Sequence, residues 1–247
     1  MRTEQYQKIE LYRNVAIEEG LDSDKGSLQF QMDFLFGGID FTNKKVLDIG
    51  GGSGLYSFWA ACSGATEVVC IEPEAAGSSS GILQIFQKLN ARLKCDNVVL
   101  ETTTFQNFDP KGKAFDIIVL CNSINHLDEA ACINLLKNAK SKNIYREILT
   151  KIAALSSEGA NVIICDCSRY NFFGLLGIRN PFVPQIQWHK HQAPEVWAHM
   201  LGDVGFVNRR IRWSSFNRFR WWGRVFIGNK FMAYFLNSHF CLTLAKQ

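Results

Sequence analysis

The stretch Lys44–Glu74, KKVLDIGGGSGLYSFWAACSGATEVVCIEPE, constrains the fold more than any other part of the chain. It passes from a short apolar run through four glycines in five residues, then through a helical segment into a second apolar run ending in an acid and a proline. A strand that feeds glycines straight into a helix lets the backbone approach a ligand closely, and the helix N-terminus presents free N–H groups to it. The dinucleotide fingerprint GxGxxG fits poorly, because Gly50, Gly52 and Gly54 give GxGxG and the third expected glycine is Leu55. Asp48, just before the glycines, would repel a pyrophosphate and suits a cationic ligand such as an amino group or a sulfonium.

The same rhythm continues downstream. NVVLETT, FDIIVLCNS and NVIICDC read as further strands, and FVNRRIRWSS and HFCLTLAK make seven in all. Helical segments separate the earlier ones, including DEAACINLLKNAKSKNIYREILTKIAALS, which reads as helical. This alternation predicts an α/β doubly wound sheet with right-handed crossovers and helices on both faces. Residues 1–40 form an N-terminal helical region with Gly20 and Gly37 as stops. Two segments, 168–195 after the fifth strand and 216–238 before the last, break the rhythm and are expected to shape a binding site. At 247 residues, one domain is expected.

VLDIGGGSG resembles the first motif of class I S-adenosylmethionine-dependent methyltransferases, CIEPE their second-strand acid, and FDIIVLCNSINHL their fourth strand. The resemblance implies a Rossmann-like fold and S-adenosylmethionine as cofactor. It implies that Asp48 orients the methionine end, that Gly50, Gly52 and Gly54 form the turn beneath the cofactor, and that Glu72 accepts hydrogen bonds from both ribose hydroxyls. TTTFQNF replaces the acid usual after the third strand, so Thr104 or Gln106 is the expected partner of the adenine amine, with Phe105 packing on the ring. Cys121 and Asn122 are expected beside the sulfonium.

Methyl transfer to a weak acceptor such as a hydroxyl needs positioning and a base. His189 and His191, in the insert, are the candidates for that base, and His126 either serves as base or closes the cofactor pocket. Asp166, ending the fifth strand, orients a base, binds a hydroxyl, or makes a simple turn. His199 and His239 are placed outside the site. No metal ligand set is visible, and the eight cysteines lack CxxC or Cys/His spacing, which suggests buried thiols in a reducing, cytoplasmic setting.

Charge is uneven. The chain carries 27 Lys and Arg against 23 Asp and Glu, and from Val204 onward there are eight cations and no acid. Arg218, Arg220 and Arg224 fall among aromatic residues there, which suggests an anionic acceptor or a peripheral membrane contact. The expected activity is O-methylation of a small-molecule or glycan hydroxyl, on a phosphorylated or lipid-linked acceptor. The alternatives are an RNA or protein methyltransferase, although a nucleic-acid partner lacks a recognition domain, or a non-catalytic cofactor-binding scaffold. The oligomeric state stays open.

Overall fold

The computed structural model describes residues 2–74, 81–214, 222–223 and 226–247. Five strands follow the expected order: β1 (Lys45–Ile49), β2 (Glu67–Ile71), β3 (Val98–Glu101), β4 (Phe115–Cys121) and β5 (Ser156–Cys167). β1, β2 and β4 are almost wholly buried, as continuous apolar runs covered on both faces must be. β6 (Phe206–Trp213) and β7 (His239–Lys246) complete a seven-stranded sheet in the order β3-β2-β1-β4-β5-β7-β6. β1 to β5 pair in parallel, while β7 lies between β5 and β6 and runs antiparallel to both.

Successive residues on each strand point to opposite faces, and this alternation divides the core in two. Val46, Val68, Val119 and Ile163 face α1 (Arg2–Glu18), α2 (Lys25–Phe36), α3 (Leu55–Cys62) and α4 (Ile82–Leu93). Leu47, Val69, Leu120 and Ile164 face α5 (Glu129–Asn134), α6 (Ala139–Leu155) and α8 (Pro194–Gly202). Asp24 starts α2 by accepting the Gly26 and Ser27 N–H groups, and Pro194 opens α8 where its missing N–H costs nothing.

The helical stretch expected after β4 is divided into two helices. The chain leaves helix after Asn134, and Asn138 recaps it by accepting the Ser141 N–H at 2.8 Å. Between Leu136 and Ile144 only Ala139 is apolar, but no glycine or proline in that stretch marks the junction as a helix end.

After β5 the chain makes a one-turn helix α7 (Phe172–Leu175) and a 3₁₀ turn, Trp188–Lys190, before α8. Between β6 and β7 it makes α9 (Lys230–Phe235). The two segments are bound together. The buried Asn171 amide donates to Tyr234 O at 3.1 Å, Leu236 O at 3.2 Å and Ser238 Oγ at 3.0 Å, and the Asn180 amide donates to Leu236 O at 2.6 Å. Both lie above the C-terminal ends of the strands, where open α/β sheets place their ligands.

Candidate active site

The loop from β1 to α3 folds against the neighbouring strand ends. The N–H groups of Gly50 and Gly51 donate to Ile71 O at 2.8 and 3.2 Å. Gly50 has φ +70°, and a Cβ there would lie 2.5 Å from the Ser123 Cβ, so only glycine lets the loops after β1 and β4 meet. Gly52 also has a left-handed backbone, yet a Cβ on it would meet nothing within 4 Å; this side of the loop is open.

Two acids stand beside that opening. Asp48 is buried, with Oδ2 accepting the Ser57 hydroxyl at 2.7 Å and Oδ1 lacking any hydrogen-bond partner. Burial pushes its carboxyl up to about 6, opposed by the Ser57 hydrogen bond and assisted by the Glu72 charge. Glu72 is also buried, and its carboxylate accepts the Gly52 N–H and the Glu74 N–H, each at 3.0 Å.

Past the end of β4 lies a cavity of about 710 Å³. Its wall includes Phe34 from α2, Tyr56 from α3, Asn122 and His126 after β4, and His191 and His239 from the C-terminal half. His191 Nδ1 lies 2.9 Å from Asp166 Oδ1. Asp166 is fully buried, takes the Cys167 N–H on the same oxygen at 2.7 Å, and leaves Oδ2 without a partner. On the same wall, His239 Nε2 lies 3.1 Å from Asn122 Oδ1, and His239 Nδ1 lies 3.8 Å from Cys165 Sγ. Burial lowers the basicity of His239, with the Asp166 charge opposing and His191 adding to the depression. Asn122 itself is held at φ +54°, its N–H bonded to Cys165 O at 2.7 Å. A non-glycine residue kept in this region is over-determined by its surroundings.

Several expected residues sit elsewhere. His189 is on the 3₁₀ turn but exposed, and it is absent from the cavity wall, because three consecutive residues of such a turn point in different directions. His126 reaches the cavity mouth, with Nδ1 at 3.4 Å from Glu129 Oε2, and Glu129 also pairs with Lys190 at 2.8 Å. Phe105 is not presented to a ligand: its ring is buried in the α5–α6 side of the core under the Lys151 ammonium, 5.2 Å away. Thr104 is exposed, and the Gln106 amide donates to Leu127 O at 2.5 Å. Cys121 is buried in the core on the α1–α4 side, directly opposite Cys165. His239, placed outside the site by its sequence position, is part of it. Among the described residues, no three His, Cys, Asp or Glu side chains are grouped to hold a metal ion.

The basic tail is partly turned inward. Arg212 donates to Gly37 O at 3.2 Å and Leu35 O at 2.9 Å, Lys246 to Ala153 O and Ser156 O at 2.7 Å, and Lys230 pairs with Glu195 at 2.6 Å. Arg218, Arg220 and Arg224 lie outside the described residues.

Residues 29–211, well over half of the chain, match the family described as "Methyltransferase domain". The chain belongs to the class I S-adenosylmethionine-dependent methyltransferases. Solved structures agree on the fold of this methyltransferase. An S-adenosylmethionine-dependent methyltransferase from Mesorhizobium loti is 10% identical, with 84% of this chain and 93% of that one covered at a TM-score of 0.57. A Listeria monocytogenes protein described in the same terms is 14% identical, with 90% and 98% covered at 0.59. The pyocyanin biosynthetic protein PhzM is 18% identical and is covered over 55% of its length, against 89% here, at 0.55. No curated protein matches the sequence.

The site of this methyltransferase fits its cofactor. Asp48 Oδ1 is a buried acceptor awaiting a donor, as the cationic amino group provides, and Glu72 presents a carboxylate fixed by two backbone N–H groups beside the open face of Gly52. When bound, S-adenosylmethionine supplies a methyl group activated by its sulfonium.

Proposed function

We propose that this methyltransferase methylates a hydroxyl oxygen of a small molecule or glycan that is neutral or anionic, with His191 as general base and Asp166 as the group that orients it. The observation that carries this reading is the 2.9 Å contact between His191 Nδ1 and the buried Asp166, on the wall of a cavity that also contains Asn122. An aspartate bound to Nδ1–H fixes the tautomer and leaves Nε2 unprotonated to accept a proton. When a hydroxyl takes the methyl group, the C–S bond of the sulfonium breaking as the C–O bond forms, His191 Nε2 would accept the hydroxyl proton and the Asp166 charge would stabilise the imidazolium.

The chemistry of the wall supports a hydroxyl over an amine. Among the described residues lining the cavity there is no carboxylate to receive an ammonium, whereas Lys190, His126, His191 and His239 all line it. His239 complements the base. A neutral ring protonated at Nε2 satisfies both of its contacts: the Cys165 thiol donates to Nδ1, and Nε2–H donates to Asn122 Oδ1. The Asn122 amide N–H groups are then free to orient the acceptor.

His191→Ala is expected to lower kcat by about 10²–10⁴-fold with S-adenosylmethionine affinity unchanged, and Asp166→Asn to lower it less. The measurement is S-adenosylhomocysteine release from pools of hydroxyl and of amine acceptors. Full activity of His191→Ala, or turnover confined to the amine pool, defeats this assignment.

A further inference from the structure

The segments on either side of α8 and β6 share an unusual surface. Leu175, Leu176, Ile178 and Phe182 from the first, and Trp222 and Phe231 from the second, are each more than half exposed. A chain of ring contacts runs from Phe182 to Phe173 (6.3 Å), Phe172 (5.3 Å), Phe235 (5.2 Å) and Phe231 (5.1 Å), so one apolar layer joins the two segments, with Leu175, Leu176 and Ile178 directly following its Phe172 and Phe173 in the chain. Folded proteins seldom leave a contiguous apolar patch of this kind open without a use for it.

Charge identifies the use. The chain has 23 Asp and Glu, yet residues 168–190 and 222–238 contain none; among the described cations there, Lys190 and Lys230 pair with Glu129 and Glu195, while Arg169 meets the neutral Gln192 and Arg179 is exposed. Arg179 lies on the exposed surface between Ile178 and Phe182. A second copy of the chain would bring no acid from these segments to meet Arg179. An anionic bilayer supplies the complement: aromatic rings settle at the headgroup level, and each basic residue near the surface adds about 1 kcal/mol.

We propose that this face docks on the surface of a membrane rich in anionic lipids. Among the described residues no helix is long and apolar enough to cross a membrane, so the contact is superficial. The docked segment also supplies Val183, Gln185 and Ile186 to the cavity wall, which places the acceptor cavity next to the lipid. The proposal does not depend on which acceptor is methylated.

The test is co-sedimentation of the full chain with vesicles of phosphatidylcholine alone or mixed with phosphatidylglycerol. Binding to the mixed vesicles is expected to exceed binding to the neutral ones by about tenfold and to weaken as salt is added. Leu175→Asp with Leu176→Asp, and separately Phe231→Asp, are expected to reduce it by about tenfold while melting temperature and cofactor affinity stay at wild-type values. If the double variant does not fold, Phe231→Asp and Arg179→Glu carry the test. Equal recovery with both vesicle types, binding unaffected by these changes, or a wild-type dimer that they dissociate would overturn the proposal; the last would show that a second copy covers the face.

Discussion

Asp48 sits in a buried wall with one oxygen satisfied by Ser57 and the other unpaired. Between 3.8 and about 6 it holds a proton in the folded chain that it would lose on unfolding. Its contribution to stability is therefore fully present below 3.8 and is lost as pH rises through about 6, a swing of about 3 kcal/mol. Asp48→Asn is expected to raise the melting temperature of the cofactor-free protein by several degrees at pH 7.5, and not at pH 4. In the wild type, S-adenosylmethionine should stabilise more at pH 7.5 than at pH 5, because its cationic group then meets an ionised carboxylate. Scanning calorimetry at these pH values checks both expectations, and a lower neutral-pH melting temperature for Asp48→Asn would contradict this account. Asp48 and Glu72 are legible in the sequence because strand-end acids flank a glycine turn. His191 and His189 are not separable there, since their difference is the direction each leaves a 3₁₀ turn. His239 is hidden for a stronger reason: its partner Asn122 is 117 positions away, and only the sheet order joins them.

Among the elements, α2 depends most on a distant partner. It gives Gln31, Phe34 and Leu35 to the cavity wall, and its last carbonyls have no helical donors. Arg212 on β6 supplies them, its guanidinium bridging Leu35 O and Gly37 O with the Phe34 ring 5.9 Å away. Arg212→Ala is expected to cost about 1–3 kcal/mol and to raise KM for the acceptor, with cofactor affinity retained. Arg212→Lys should recover only part, because an ammonium lacks the planar fork that spans two carbonyls. Chemical denaturation and acceptor kinetics check this, and an unchanged KM in Arg212→Ala would detach α2 from acceptor binding. Local pattern reveals that α2 exists and ends near Gly37, but not that a residue 175 positions later holds that end. The reverse failure occurs between α5 and α6, where Asn138 recaps the helix in a polar stretch with no glycine or proline to mark the break.

At the scale of the molecule, one late strand joins β6 to the parallel part of the sheet. All seven strands are legible in the sequence, six as largely apolar runs and β6 as the arginine-rich FVNRRIRW, but no local signal says that the last inserts antiparallel between β5 and β6 instead of adding at an edge. That position makes β7 central. Phe240 and Leu242 are wholly buried against the α5–α6–α8 side, Leu244 nearly so, and Cys241 fills the other face. At about 1.5–3 kcal/mol for each large side chain, those three apolar residues alone contribute about 5–9 kcal/mol, as much as the whole stability of many domains. Removing residues 239–247 is therefore expected to abolish the cooperative thermal transition. S-adenosylmethionine binding should disappear with it, although Asp48, the glycine turn, Glu72 and Asn122 all remain in the chain. Circular dichroism melts and calorimetric titration of the chain 1–238 test this. A cooperative melt with retained binding would mean that the first five strands fold as an independent cofactor domain, and that β7 serves the acceptor site alone.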